Sequence, residues 1–188
     1  PKITIYERKE LITGEPITHE MNVGGRDAAQ LMRPEYVARL SGALTDTTEL
    51  PEFTPVEAQM GSFAHLQGFN IDTTNAVPGG FVDLVLYWQA DGSSGINYQT
   101  FTHLHDGETM QGQLDGRPQC GNAPTAQWQT GQYIVDPYRI PLSPEAAPGE
   151  VPLTVGMYDL YTLERVPVTQ NGAADNKITV TTVTIRDQ

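Results

Sequence analysis

Phe81-Val82-Asp83-Leu84-Val85-Leu86-Tyr87-Trp88-Gln89-Ala90 holds one charged residue among Val, Leu and aromatic side chains. That composition suits a pleated, packed strand. Val77-Pro78-Gly79-Gly80 precedes it and Asp91-Gly92 follows it, and both are turn signals. A strand of strong β character between two turns sets the pattern for what surrounds it.

The same rhythm continues on both sides. Upstream, Phe63 to Asp72 alternates apolar and polar residues toward its end. Downstream, Asn97 to Asp106 alternates for most of its length, and Met110 to Leu114 reads as a shorter strand. Tyr133 to Asp136 and Tyr138 to Leu142 flank Pro137, which implies a sheet edge or a bulge. Val151 to Asp159, a short piece around Arg165 to Val168, and Lys177 to Ile185 complete the set. No helix-length pattern separates these runs, which argues against βαβ units. The expected fold is all-β: an antiparallel sandwich of about eight strands over residues 61–188, Ig-like or jelly-roll-like.

Residues 1–60 differ. Residues 1–8 suit a short strand with Ile3 and Ile5 on one face, and residues 9–25 read as irregular. Arg26 to Met32 and Pro34 to Leu40 contain good helix formers, and Pro34 splits them into two short helical turns. Residues 43–60, with Pro51 and Pro55, read as a linker.

Composition narrows the function classes. The net charge of −12 comes with only three lysines, Lys2, Lys9 and Lys177, so no cluster of cations exists to displace phosphate counterions. Nucleic acid and anionic lipid headgroups are poor partners for such a chain. Cys120 is the single cysteine, so no internal disulfide forms, and nothing beside it in sequence supplies the base a nucleophilic thiolate requires. No apolar run is long enough to span a bilayer as a helix. There is no Gly-x-Ser-x-Gly elbow, phosphate-binding loop or His-Glu-x-x-His.

Three groups of residues remain as candidate sites. His103 and His105 stand two apart on a strand, so both imidazoles fall on one face; with Asp106, Asp115 or His65 they form a candidate zinc or copper set. Asp106, Asp115 and Asp136 are candidate oxygen ligands for a structural calcium, although turn capping is the favoured account of such aspartates. Trp128, Asp136 and Tyr138, with Tyr98, offer aromatic platforms and a carboxylate of the kind that hold sugar rings; Trp88, inside an apolar strand, belongs to the core.

Several phrases carry a family likeness: LQGFNI (Leu66 to Ile71), PGGFVDLVLYWQA (Pro78 to Ala90), YQTFTHLHD (Tyr98 to Asp106), QLDGRP (Gln113 to Pro118), PTAQWQTGQYIVDPYRI (Pro124 to Ile140) and PGEVPLTVGMYDLYTLERVPV (Pro148 to Val168). In this order they resemble the C-terminal extracytoplasmic β-sandwich domain of Chloroflexi-type multi-span membrane proteins. Those proteins look like family 39 glycosyltransferases or related uncharacterised membrane proteins. Pro1 to Tyr6 is similar to the segment that follows their last membrane span. The resemblance implies a domain outside the cytoplasm, tethered to the membrane through its N-terminal side, without a transferase centre of its own. The expected function is a non-catalytic accessory module that binds glycan or the parent membrane domain. A structural or protein-interaction module is the second reading, and a metal-dependent hydrolase the third.

Overall fold

The computed structural model describes residues 2–5, 19–22, 52–170 and 175–187. The chain forms two compact units, Pro1–Thr45 and Asp46–Gln188. In the first, strands β1 (Lys2–Ile5) and β2 (His19–Asn22) pair antiparallel, with Ile3 opposite Met21. β2 falls within a stretch expected to be irregular. The expected helical turns between Arg26 and Leu40 lie outside the described residues.

The second unit is a sandwich of nine strands in two antiparallel sheets. They are β3 (Thr54–Met60), β4 (Ala64–Asp72), β5 (Phe81–Ala90), β6 (Tyr98–His105), β7 (Met110–Gly116), β8 (Tyr133–Pro141), β9 (Gly149–Asp159), β10 (Val168–Thr169) and β11 (Ile178–Ile185). One sheet has the order β10-β3-β4-β5-β8 and the other β11-β9-β6-β7.

The strands follow from side chains that must leave water. Val82, Leu84, Leu86 and Trp88 on β5 share one face with buried Ile134 and Ile140 on the neighbouring β8. Leu104 on β6 and Leu153, Val155 and Met157 on β9 belong to the same core cluster, drawn from the other sheet. Each such side chain contributes roughly 1.5–3 kcal/mol on full burial, and this interior holds the layers together. β5 is not a simple alternation, because Val85 and Tyr87 on its other face are also buried. Phe53 stacks on Tyr87 at 5.2 Å between ring centroids.

β3 lies where a linker was expected. Its sequence, TPVEAQM, looks polar and contains Pro55, yet Ala58 and Met60 are fully buried. Register shifts between Pro55 and Ala58, and Glu57 sits at φ 54°, so a bulge absorbs the proline. Pro137 lies inside one continuous strand, β8, at an edge of the five-stranded sheet. An edge strand can give up a ladder donor there.

Candidate functional site

The residues expected to bind sugar turn inward. Trp128 is 3% exposed. Its ring lies against Phe63 and Trp88, with centroids 6.1 and 6.4 Å away, and its indole N–H donates to the Ala123 carbonyl at 2.9 Å. A ring held that way presents no face to a glycan, and the expectation for Trp128 is corrected to a core role. Tyr138 and Asp136 are buried as well. Tyr98 is half-buried and stacks almost parallel on Phe63 at 5.4 Å. The glycan platform of Trp128, Tyr138, Asp136 and Tyr98 therefore does not exist as a surface.

Asp136 instead anchors a buried network. Its Oδ1 accepts the backbone N–H of Gln119 at 2.8 Å. Its Oδ2 accepts the Trp88 indole N–H at 3.2 Å and the Tyr138 hydroxyl at 2.7 Å. Burial pushes the carboxyl up to about 6 from the ordinary 3.8, although the three donors pull the other way. The Tyr138 phenol is driven well up, first by burial and then by Asp136. Gln119 also donates from Nε2 to the Val135 carbonyl at 3.1 Å, which docks the short 3-10 turn Pro118–Gly121 on β8. Gln119 and Cys120 in that turn are both left-handed. The Cys120 side chain reaches the surface, but desolvation of the thiol, followed by Asp136, raises it. That is the opposite of what an activated thiolate needs.

Of the expected metal ligands the structure brings His103 and Asp115 together, while His105, Asp106 and His65 take other partners. His103 Nε2 meets Asp115 Oδ1 at 3.0 Å on the outer face of the four-stranded sheet. The register shifts between Leu104 and His105, where β7 takes two steps, Gly112 to Met110, for one step of β6. His105 Nδ1 accepts the Gly107 backbone N–H at 3.0 Å. Asp106 caps the same turn: Oδ1 accepts from Thr109 and Glu108 N–H, and Oδ2 from Gln111 Nε2. The Thr109 N–H first, then Glu108 and Gln111, hold its carboxyl down at about 2. His65 pairs with Asp91 at 3.2 Å, away from the others in sequence and sheet. Among the described residues no group of three or more His, Cys, Asp or Glu side chains gathers to hold a metal ion. Neither His103–His105–Asp106–Asp115 nor Asp106–Asp115–Asp136 gathers as a set in this arrangement.

One surface feature was not anticipated. Among the described residues, four large hydrophobic side chains are exposed: Ile96 at 44%, Leu160 at 47%, Tyr161 at 89% and Leu163 at 70%. All four lie at one end of the four-stranded sheet. Tyr98 pairs with Asp159, so Ile96 lies just before β6 and Leu160 just after β9 at the same end. The turn that carries three of them is well formed. Asp159 Oδ1 accepts the Tyr161 N–H at 2.8 Å, the Asp159 carbonyl accepts the Leu163 N–H at 2.8 Å, and the Asp159 N–H donates to the Glu164 carbonyl at 3.0 Å. Leu163 is left-handed at φ 62°, and Tyr158 bridges Arg165 below the turn. The sequence signal was Asp159-Leu160-Tyr161-Thr162-Leu163-Glu164, where apolar residues occupy a stretch between strands that turn chemistry would fill with polar ones.

No family model and no curated protein matches this chain.

Proposed function

We propose that the chain is a non-catalytic accessory module outside the cytoplasm that binds another protein through the Leu160–Leu163 turn. The exposed apolar turn carries this reading. Exposed apolar side chains gathered at one place, unlike ones scattered singly, mark interaction surfaces. Tyrosine is among the residues that dominate interface energetics. Hydrogen bonds from Asp159 hold the turn ready, so little ordering is left to oppose binding. Support for the location and the membrane tether comes from the resemblance of Leu66 to Val168 to extracytoplasmic domains of multi-span proteins.

The test is a photo-reactive residue placed at Tyr161 in the full-length protein in its native cells, with Gln113 as an exposed control position on the same sheet. Position 161 yields a discrete protein adduct and position 113 does not. Leu163→Asp removes the adduct. Absence of any adduct from 161, together with glycan-array retention indifferent to Tyr161→Ser, would overturn the reading.

A further inference from the structure

We infer that the partner received by the apolar turn is a protein with a basic surface around an apolar recess. This rests on the turn being an interaction site, as proposed above, and adds the chemistry of what fits it.

The charge of the chain is distributed unevenly. Residues 1–45 contain six Asp/Glu and six Lys/Arg, a balance of zero. Residues 46–188 contain 17 Asp/Glu and five Lys/Arg, a net −12, so the sandwich carries the whole imbalance. Four of its five cations are engaged within the domain. Arg139 pairs with Asp83, and Lys177 lies 3.7 Å from Asp175. Arg186 donates to the carbonyls of Thr73 and Thr74. Arg165, the cation nearest the turn, lies over the Phe101 ring at 4.8 Å and donates to the Asp175 carbonyl at 2.9 Å. The turn therefore presents Leu160, Tyr161 and Leu163 between the carboxylates of Asp159 and Glu164, while its neighbouring guanidinium is drawn back onto the sheet.

An apolar centre with an acidic rim selects its partner by charge. A second copy would bring the same −12 and the same two carboxylates, and like charges brought together at an interface are costly. An anionic bilayer repels it likewise. A basic rim is attracted from about a Debye length, roughly 8–10 Å, before apolar contact begins.

Within the sandwich the turn stands at one end of the strands. The chain arrives at Thr54, which pairs with Phe69, and β3 runs from there to Met60, which pairs with Ala64. Gly61 N–H then donates to the Pro167 carbonyl, two residues beyond Arg165. The apolar turn thus stands at the end of the sandwich opposite Thr54, roughly 20 Å away at strand rise.

The experiment uses the whole chain and two synthetic amphipathic helices as probes, one of Leu and Lys and the other with every Lys replaced by Glu. Binding is followed by anisotropy and located by amide chemical shifts. The Lys peptide binds at least about tenfold tighter than the Glu peptide, perturbs residues 160–164, and weakens about tenfold as salt rises from about 0.05 to about 0.5 M. Tyr161→Ser with Leu163→Ser weakens it by at least about tenfold. Asp159→Asn with Glu164→Gln keeps the apolar contact and flattens the salt dependence. If the Glu peptide binds the turn equally well, the basic partner is wrong while the interaction site stands. If neither peptide perturbs the turn, both readings fall. Dimerisation through the turn by sedimentation, or binding to neutral phosphatidylcholine vesicles that Tyr161→Ser abolishes, also overturns the inference.

Discussion

The indole N–H of Trp88 donates to the carboxylate of Asp136 at 3.2 Å inside the core. A carboxyl held up at about 6 against an ordinary 3.8 makes folding depend on pH. Below the unfolded value both states are protonated, and the contribution is fully present. Between the two values the native state keeps a proton that the unfolded chain has released. Stability therefore falls as pH rises through about 6, by on the order of 3 kcal/mol from this group. Urea unfolding at a series of pH values checks this, and Asp136→Asn should remove the slope. A flat wild-type profile across that window would count against it.

Asp106 works in the opposite direction and in another window. Its carboxyl is held at about 2 by the backbone of its own turn. Its contribution is present above the ordinary 3.8 and lost as pH falls through about 2. Asp106→Ala frees the N–H groups of Thr109 and Glu108, and amide exchange in residues 107–109 should accelerate while the core amides of β5 stay protected.

Trp128→Ala leaves a cavity beside Phe63 and Trp88 and orphans the Ala123 carbonyl. The expected loss is about 3–5 kcal/mol. Trp128→Phe keeps most of the packing and should cost about 1–2 kcal/mol, near the value of the missing hydrogen bond. Denaturant midpoints decide the ranking. If Trp128→Ala proves as stable as wild type, the inward placement of the ring is wrong.

Gly68 occupies a register shift in β4. A Cβ there would fall 2.2 Å from the Thr54 carbonyl oxygen and 2.3 Å from the Phe53 ring. Gly68→Ala must push β3 away or unstack Phe53 from Tyr87. The expected cost is roughly 1–3 kcal/mol, readable as a lower Tm.

Arg139 spans β8 to β5 with a two-pronged grip on Asp83, Nε at 2.7 Å and a terminal nitrogen at 2.9 Å, while its plane covers Phe81 at 4.2 Å. Lysine offers neither the fork nor the plane. Arg139→Lys should lose about 1 kcal/mol, and added salt should not recover it. Equal denaturant midpoints for both proteins would show the grip to be energetically idle.

Much of the architecture could be read locally. The stretch Phe81 to Ala90 coincides with β5, because residues that suit a pleated surface need no distant information to favour one. β3 is not legible locally because Thr54-Pro55-Val56-Glu57 looks polar, and its place in the sheet rests on the buried Ala58 and Met60 with Val56 packed against the core. The site was far less legible. Trp128 lies in Ala126-Gln127-Trp128-Gln129-Thr130, where every neighbour suggests a wet loop. The partners that bury it, Phe63 and Trp88, are remote in sequence. The two-residue spacing of His103 and His105 could not tell which partner each imidazole takes: His103 meets Asp115 on the neighbouring strand, and His105 accepts from the Gly107 N–H in its own turn.

β11 forms an outer rim of the four-stranded sheet, and its sequence, ITVTTVTI, carries no charge and no proline to discourage a neighbour. Its pairing with β9 slips between Thr179 and Thr181. That slip works like a broken tooth in a zip. A second chain offering a regular backbone could keep step over Thr181–Ile185 but would lose it at the slip, which shortens the Thr-rich border that edge-on pairing can use.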